Sequence, residues 1–414
     1  HLDLFSMSDR TKRLLVVIGF MASIVGIGAA LYFVFFQGAV PPATVTPSEE
    51  QPDGTLLPSG SAGNRVVVPP TGVPTTGGGL PPAATVANGG RTETTSLTQG
   101  SASFPTLGAD GNTINFYNAA DDKFYTVDKD GNFVLLSDKE FPGVSNAEWN
   151  KDSDKAVLEY PDGSNVVYDF SAERQVTLPA HWEDFKFSPV SDQIEAKSLG
   201  VDPNNRWLVV TNDDGSGTKA FQELGNNADK VTVSWSPNNQ VVAFSDTADS
   251  IGLDRKIILP VGLNGENYRG LTVEGLGFLS VWSPSGKKLL YSVASDYSNN
   301  RPLLWLVDAT PSTMGENRHS LGLNTWADKC AYASSDAIYC AVPRNLPENA
   351  GLQRTLYSSY PDSLYRINVS TSKVTLVAIP DTDMTMENLS VSSDGASLYF
   401  TSKEDGTLQL IRLK

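Results

Sequence analysis

Histidine, cysteine and positive charge are all scarce in this chain of 414 residues, and each shortage removes a class of chemistry. Of three histidines, His1 opens the sequence, His181 stands beside Trp182 at a unit boundary, and His319 follows Arg318 in a long loop. None sits in a His-Glu-x-x-His pattern, and neither a Gly-x-Ser-x-Gly elbow nor a Gly-Lys-Ser/Thr phosphate loop occurs. The two cysteines, Cys330 and Cys340, have no histidine near them. That argues against a four-ligand zinc site, and their spacing is not the Cys-x-x-Cys of redox catalysts. With 31 basic against 47 acidic residues the net charge is −16, a field that repels nucleic acid and anionic lipid. Such a field favours cations or a basic partner, or serves solubility alone.

What is present falls into three zones. Residues 14–36 form a run of 23 uncharged residues, LLVVIGFMASIVGIGAALYFVFF. As a helix it would rise about 35 Å, enough to cross a hydrocarbon core of roughly 30 Å. Arg10, Lys12 and Arg13 precede it, and the first charge after it is Glu49. The bias predicts a single-pass anchor with a cytoplasmic tail, residues 1–13, and everything else outside the cytoplasm. A cleaved signal peptide is the competing reading, since small residues follow the run; signal cores are usually 7 to 15 residues long. Ala22, Gly26 and Ala30 lie at four-residue spacing, which is either a close-packing face for a homodimer through the membrane helix or ordinary membrane-helix composition.

Residues 37–103 contain ten prolines, eleven glycines and no aromatic residue. A segment of that composition buries too little surface to offset the entropy of ordering it, so it is predicted to be a disordered tether. The region 104–414 holds all seven tryptophans and nearly all of the net negative charge.

Within that third zone the stretch VSWSPNNQVVAF returns as SVWSPSGKKLLY 47 positions later. The wider unit is an apolar strand, a turn rich in Ser, Pro, Asp, Asn and Gly, and a second apolar strand. It starts near residues 107, 147, 185, 234, 281, 329 and 389, seven units in about 311 residues, or near 44 residues each. Further short runs rich in Val, Ile, Leu, Tyr and Phe lie between the units, and none has a helical face of useful length. Four short strands at this period describe a β-propeller blade, so the expected fold is all-β with seven blades, six or eight being the neighbouring counts. The tryptophans would wedge between blades, and proline would end the strand by removing a ladder donor. Two openings close together at 185–210 are taken as one irregular blade. The last unit lacks an outer strand, and residues 101–107 are expected to supply it.

Candidate sites are few. Cys330 and Cys340 flank a hairpin turn near Ser335 and would face each other across it, favouring a disulfide in an oxidising compartment over two buried thiols. Asp128, Asp130 and Asn132 have the alternate spacing of a calcium loop but lack its final glutamate; a hairpin turn is the plainer account. Otherwise no cofactor is expected. The long insertion 341–363 carries Arg344, Arg354 and Tyr357 and Tyr360, with Tyr365 just beyond, an aromatic and arginine mix suited to a protein interface.

The tryptophan-Ser-Pro units at 231–300, and VSSDGASLYF more loosely, resemble the repeat of the TolB-like (WD40-like) propellers. The resemblance implies an extracytoplasmic propeller that contacts proteins or ligands. The layout of anchor, tether and propeller is also similar to uncharacterised single-pass propeller proteins of bacteria. Three functions follow as expectations: a protein-binding or scaffolding module of the cell envelope, without nucleic acid; a propeller enzyme, metal-assisted lyase or hydrolase, using the central channel; or a receptor for a sugar or peptide there.

Overall fold

The computed structural model describes residues 20, 21, 23–27, 82–252 and 254–414. The first seven of these are helical and solvent-exposed, and among the described residues no helix is long and apolar enough to cross a membrane. Most of the expected anchor at 14–36, Ala22 and Ala30 of its small-residue face, the tail 1–13 and residues 37–81 of the tether lie outside the described residues.

The propeller itself is complete. Seven sheets follow one another along the chain: blade 1 spans 103–135, blade 2 146–178, blade 3 182–223, blade 4 231–273, blade 5 276–320, blade 6 330–380 and blade 7 386–412. Each blade is an antiparallel meander in strand order, which short turns and alternating apolar residues favour. The first strands of blades 7, 1, 2, 3 and 4 touch in succession, and those of blades 6 and 7 touch as well, so first strands line the axis. The axial strands all run the same way; the face where they begin is called upper here, and the face where they end lower. The segment 185–210 belongs to one blade, as expected: it lies in three neighbouring strands of blade 3, the first of which is bulged between Glu183 and Lys186.

Ring closure differs from expectation. Residues 103–107 are the axial strand of blade 1, not an outer strand. The outer strand of blade 7 is Thr95–Ser96, paired antiparallel with Leu410 and Gln409. Just before it, Arg91–Thr92 lies parallel along the outer edge of blade 6, beside Ile379 and Pro380. Residues 84–102, inside the segment that composition assigned to the tether, therefore belong to the propeller. Leu97 and Ala102 explain the order, since both are buried among Ile114, Tyr399, Leu408 and Leu410 of blades 1 and 7.

The seams between blades carry the tryptophans. Trp282 of blade 5 stacks on Phe244 of blade 4 at 5.5 Å, and its Nε1 donates to Ser234 Oγ at 3.0 Å. Trp149 of blade 2 packs edge-on against Phe124 of blade 1 and donates to the Phe104 carbonyl at 2.9 Å. These two rings thus pack between two sheets and satisfy their one donor on the neighbouring blade, whereas Trp235 donates to Asn239 of its own blade.

The serine of the repeated motif has a role of its own. Ser236, Ser283 and Ser392 are buried, and their hydroxyls accept the backbone N–H of Val241, Lys288 and Ser397, five residues on, at 2.9, 3.0 and 2.9 Å. Asn150 performs the same closure in blade 2, accepting from Lys155 N at 3.0 Å. The lower turns also lock to one another: Asn238 Nδ2 donates to the Gly286 carbonyl at 3.0 Å, and Gly286, at φ +65°, approaches Asn238 too closely to admit a Cβ.

Candidate functional site on the upper face

Two insertions rise from the upper face, residues 295–301 of blade 5 and 344–361 of blade 6. Backbone bonds staple them together: Asn349 N to the Asn299 carbonyl at 3.0 Å and Gly351 N to the Asn300 carbonyl at 2.8 Å. Arg301 Nε donates to the Leu346 carbonyl at 2.8 Å, and Asn300 Nδ2 to Asn349 Oδ1 at 3.0 Å. Asn299, Asn300 and Asn349 have φ of 52°, 53° and 64°, a region that asparagine tolerates better than most side chains. Gly351 is needed for close approach, because a Cβ there would lie 2.4 Å from that of Ala294. The result is a ridge across two blades.

Beneath the ridge Trp326, Leu346 and Ala350 are buried, with Leu279, Tyr357 and Tyr360 packed against them. Arg354 lies over the Trp326 ring at 5.3 Å and donates to Asp328 Oδ2 at 2.6 Å. Of the residues expected at an interface, Arg354, Tyr357 and Tyr360 come together here, in or next to a single helical turn, Arg354–Tyr357. Arg344 stands at the base of the insertion, paired with Asp383 at 2.5 Å. Tyr365 is elsewhere, mid-strand opposite Cys340 and half-buried against the core between blades 5 and 6. The large apolar and aromatic side chains that the ridge leaves in solvent are others: Tyr297 is 78%, Leu356 70% and Leu352 48% exposed, and Leu276, at the start of the axial strand beside it, is 49% exposed. Two leucines in a polar loop were the available signal, and a search for arginine and tyrosine passes over them.

Across the axis, blades 2, 3 and 4 form a cleft of about 660 Å³ lined by Glu148, Glu159, Glu183, Asp184 and Asp229 with Lys186 and Lys197. Lys186 pairs with Glu148 at 2.6 Å, and Lys197 with Asp184 at 2.6 Å. Burial raises the Glu148 carboxyl above the ordinary range against the pull of Lys186, and Glu159 adds to the rise. Glu159 is raised too, by burial and then by Asp184 and Glu183, although Asn146 donates to it at 2.6 Å. A smaller cavity of about 280 Å³ lies between cleft and ridge, with Lys186 on one side, Asp328 on the other, and Trp235, Phe278 and Trp282 in its wall.

The remaining sequence candidates are placed as follows. Cys330 and Cys340 are directly opposite in blade 6, Cα atoms 4.0 Å apart, and form a disulfide. Asp128 organises a hairpin turn in blade 1: Oδ1 accepts from Asp130 N and Asn132 N at 2.9 Å each, and Oδ2 from Asn132 Nδ2 at 2.8 Å. Among the described residues no group of three or more His, Cys, Asp or Glu side chains is arranged to hold a metal ion. His319 bridges Asn317 and Ser372, at 2.9 Å and 2.7 Å.

No family model matches this chain, and no curated protein does. Solved structures do. An oligogalacturonate lyase in complex with manganese is similar over 78% of this chain and 93% of its own, at 14% identity and a TM-score of 0.56. The β-propeller domain of Swd1 from Myceliophteria thermophila is similar over 78% and 100%, at 10% identity and a TM-score of 0.51. TolB from Acinetobacter baumannii, the type of propeller whose repeat the sequence resembles, aligns over 66% of each chain at 12% identity and a TM-score of 0.43. The likeness is one of fold. At such identities a lyase and a Swd1 domain share the architecture without lending their activities or partners.

Proposed function

We propose that this propeller is a protein-binding or scaffolding module of the cell envelope, anchored by residues 14–36 with the propeller outside the cytoplasm, and that it binds through its upper face. The ridge carries the reading. Exposed Leu352 and Leu356 stand on the blade 6 insertion, which is cross-bonded to the blade 5 insertion over a rigid scaffold, the usual arrangement of binding loops. Leucines left in solvent above a closed aromatic cluster contribute nothing to folding that a polar residue would not, and they suit the apolar centre of an interface. The anchor and topology are supported by the apolar run, the Lys/Arg bias before it and the disulfide of blade 6, which persists in an oxidising compartment.

The test is cross-linking in the native membrane followed by recovery of the full-length chain, beside a Leu352→Ser/Leu356→Ser variant. A partner recovered with the parent chain and lost with the variant is expected; equal recovery from both would remove the ridge from the account.

One observation favours a second reading, a small-ligand receptor or a propeller enzyme working in the channel. The cleft of about 660 Å³ is of small-molecule size and holds two carboxyls, Glu148 and Glu159, raised by burial, a feature common at functional sites. Calorimetric titration with acidic and neutral sugars and with manganese or calcium tests it: saturable heat lost in Glu148→Gln supports this reading, and none removes it.

A further inference from the structure

The apolar ridge and the acidic cleft share the upper face and are joined by the small axial cavity. Lys186 and Thr232 belong to the walls of both the cleft and that cavity, while Asp328 and Leu279 belong to the cavity and to the ridge's foundations. The ridge is unpartnered: Leu276, Leu352 and Leu356 have roughly half or more of their surface in solvent. In the cleft five carboxylates face two lysines, and both lysines are already paired. Glu183 and Asp229 have no ion pair among the described residues.

We propose that the ridge seats the apolar side of an amphipathic segment of a partner protein, and that lysine or arginine side chains from the same segment enter the acidic cleft. The inference rests on the reading of the upper face as a protein-binding surface and adds the chemistry of what binds. Charge decides among occupants. A second copy of this chain would bring its own acidic upper face against this one. An anionic membrane surface would be repelled by a molecule of net charge −16. A segment with leucine-like residues on one side and cations on the other satisfies both halves of the face together, and the uncompensated carboxylates would speed its approach and fix its orientation.

The test uses the full-length chain and three fluorescent 16-residue peptides: leucine and lysine at helical spacing, the same with glutamate for lysine, and the same with serine for leucine. The leucine–lysine peptide is expected to bind at least tenfold more tightly than either of the others and to weaken as salt is added. Leu352→Ser/Leu356→Ser should weaken it at least tenfold, and Glu183→Gln/Asp229→Asn at least fivefold with a shallower salt dependence. Asp130→Asn/Asp192→Asn on the lower face should leave it unchanged, and thermal melts should find all three variants folded. Equal binding of the serine–lysine peptide, equal loss from the lower-face variant, or ridge substitutions that alter self-association in the ultracentrifuge instead would each overturn the proposal. A native partner that cross-links to the ridge through an acidic or uncharged segment would overturn this inference and leave the protein-binding reading standing. Peptide binding that ignores the ridge variant would count against both.

Discussion

At the scale of single residues the propeller depends on polar atoms satisfied in unusual places. The buried hydroxyl of Ser283 accepts the Lys288 N–H and so closes the lower turn of blade 5. Ser283→Ala leaves that donor without this acceptor and is expected to cost about 1–3 kcal/mol in urea melts; a change below about 0.5 kcal/mol would show that water replaces the hydroxyl. Glu195 is the opposite case. It is fully buried in blade 3, neither carboxyl oxygen has a hydrogen-bond partner among the described residues, and burial holds its pKa well above the ordinary value of 4.5. The folded protein keeps this proton while the unfolded chain loses it near its ordinary pKa. The stability it allows is therefore whole below about pH 4.5 and falls as pH rises toward the folded-state pKa, by up to about 1.4 kcal/mol per pH unit. Glu195→Gln should gain on the parent chain between pH 4.5 and 7.5 in paired urea melts. A constant difference between the two proteins across that range would contradict the burial argument.

At the scale of elements, closure is the decisive feature. Residues 84–102 bind two blades in turn: Arg91 Nη2 donates to the Asp381 carbonyl at 2.8 Å in blade 6, and Leu97 N to the Leu408 carbonyl at 2.8 Å in blade 7. Leu97→Ala is expected to cost about 2–5 kcal/mol, read from the midpoint of a urea melt. A chain beginning at residue 104 should lose the cooperative melt that one beginning at 82 retains; equal melting would mean that the outer strand of blade 7 is dispensable. Cys330–Cys340 encloses a hairpin already held by its ladder, so reduction should cost no more than about 2–3 kcal/mol by the same measurement. These elements also mark how far the sequence could be read. Tryptophan, Ser-Pro and period 44 reveal blades because each blade repeats the same local solution. Thr95–Ser96 was hidden because two residues in a Thr, Gly and Pro context have no periodicity, and their strand exists only through a partner some 300 residues away. The ridge was half visible: Arg354, Tyr357 and Tyr360 announced themselves by type, yet they are its foundations. The acidic cleft was invisible, since Glu148 and Glu183 come from two blades and Asp229 from the connection into a third, and they meet only when the blades pack.

At the scale of the whole molecule, seven blades with interlocked seams make a stiff ring, and its two faces differ. On the lower face the turns that join first and second strands of blades 4 and 5 bond to each other, whereas the upper face carries the ridge, the cleft and the cavity between them. A molecule divided in this way should recruit its partner from one side. The most direct measurement is site-specific photocross-linking in the native membrane, with the reactive group placed at Leu356 on the ridge or at Lys287 on the lower face. The account predicts a discrete protein adduct from position 356 and none from position 287. Adducts from 287 alone, or equally from both positions, would contradict it.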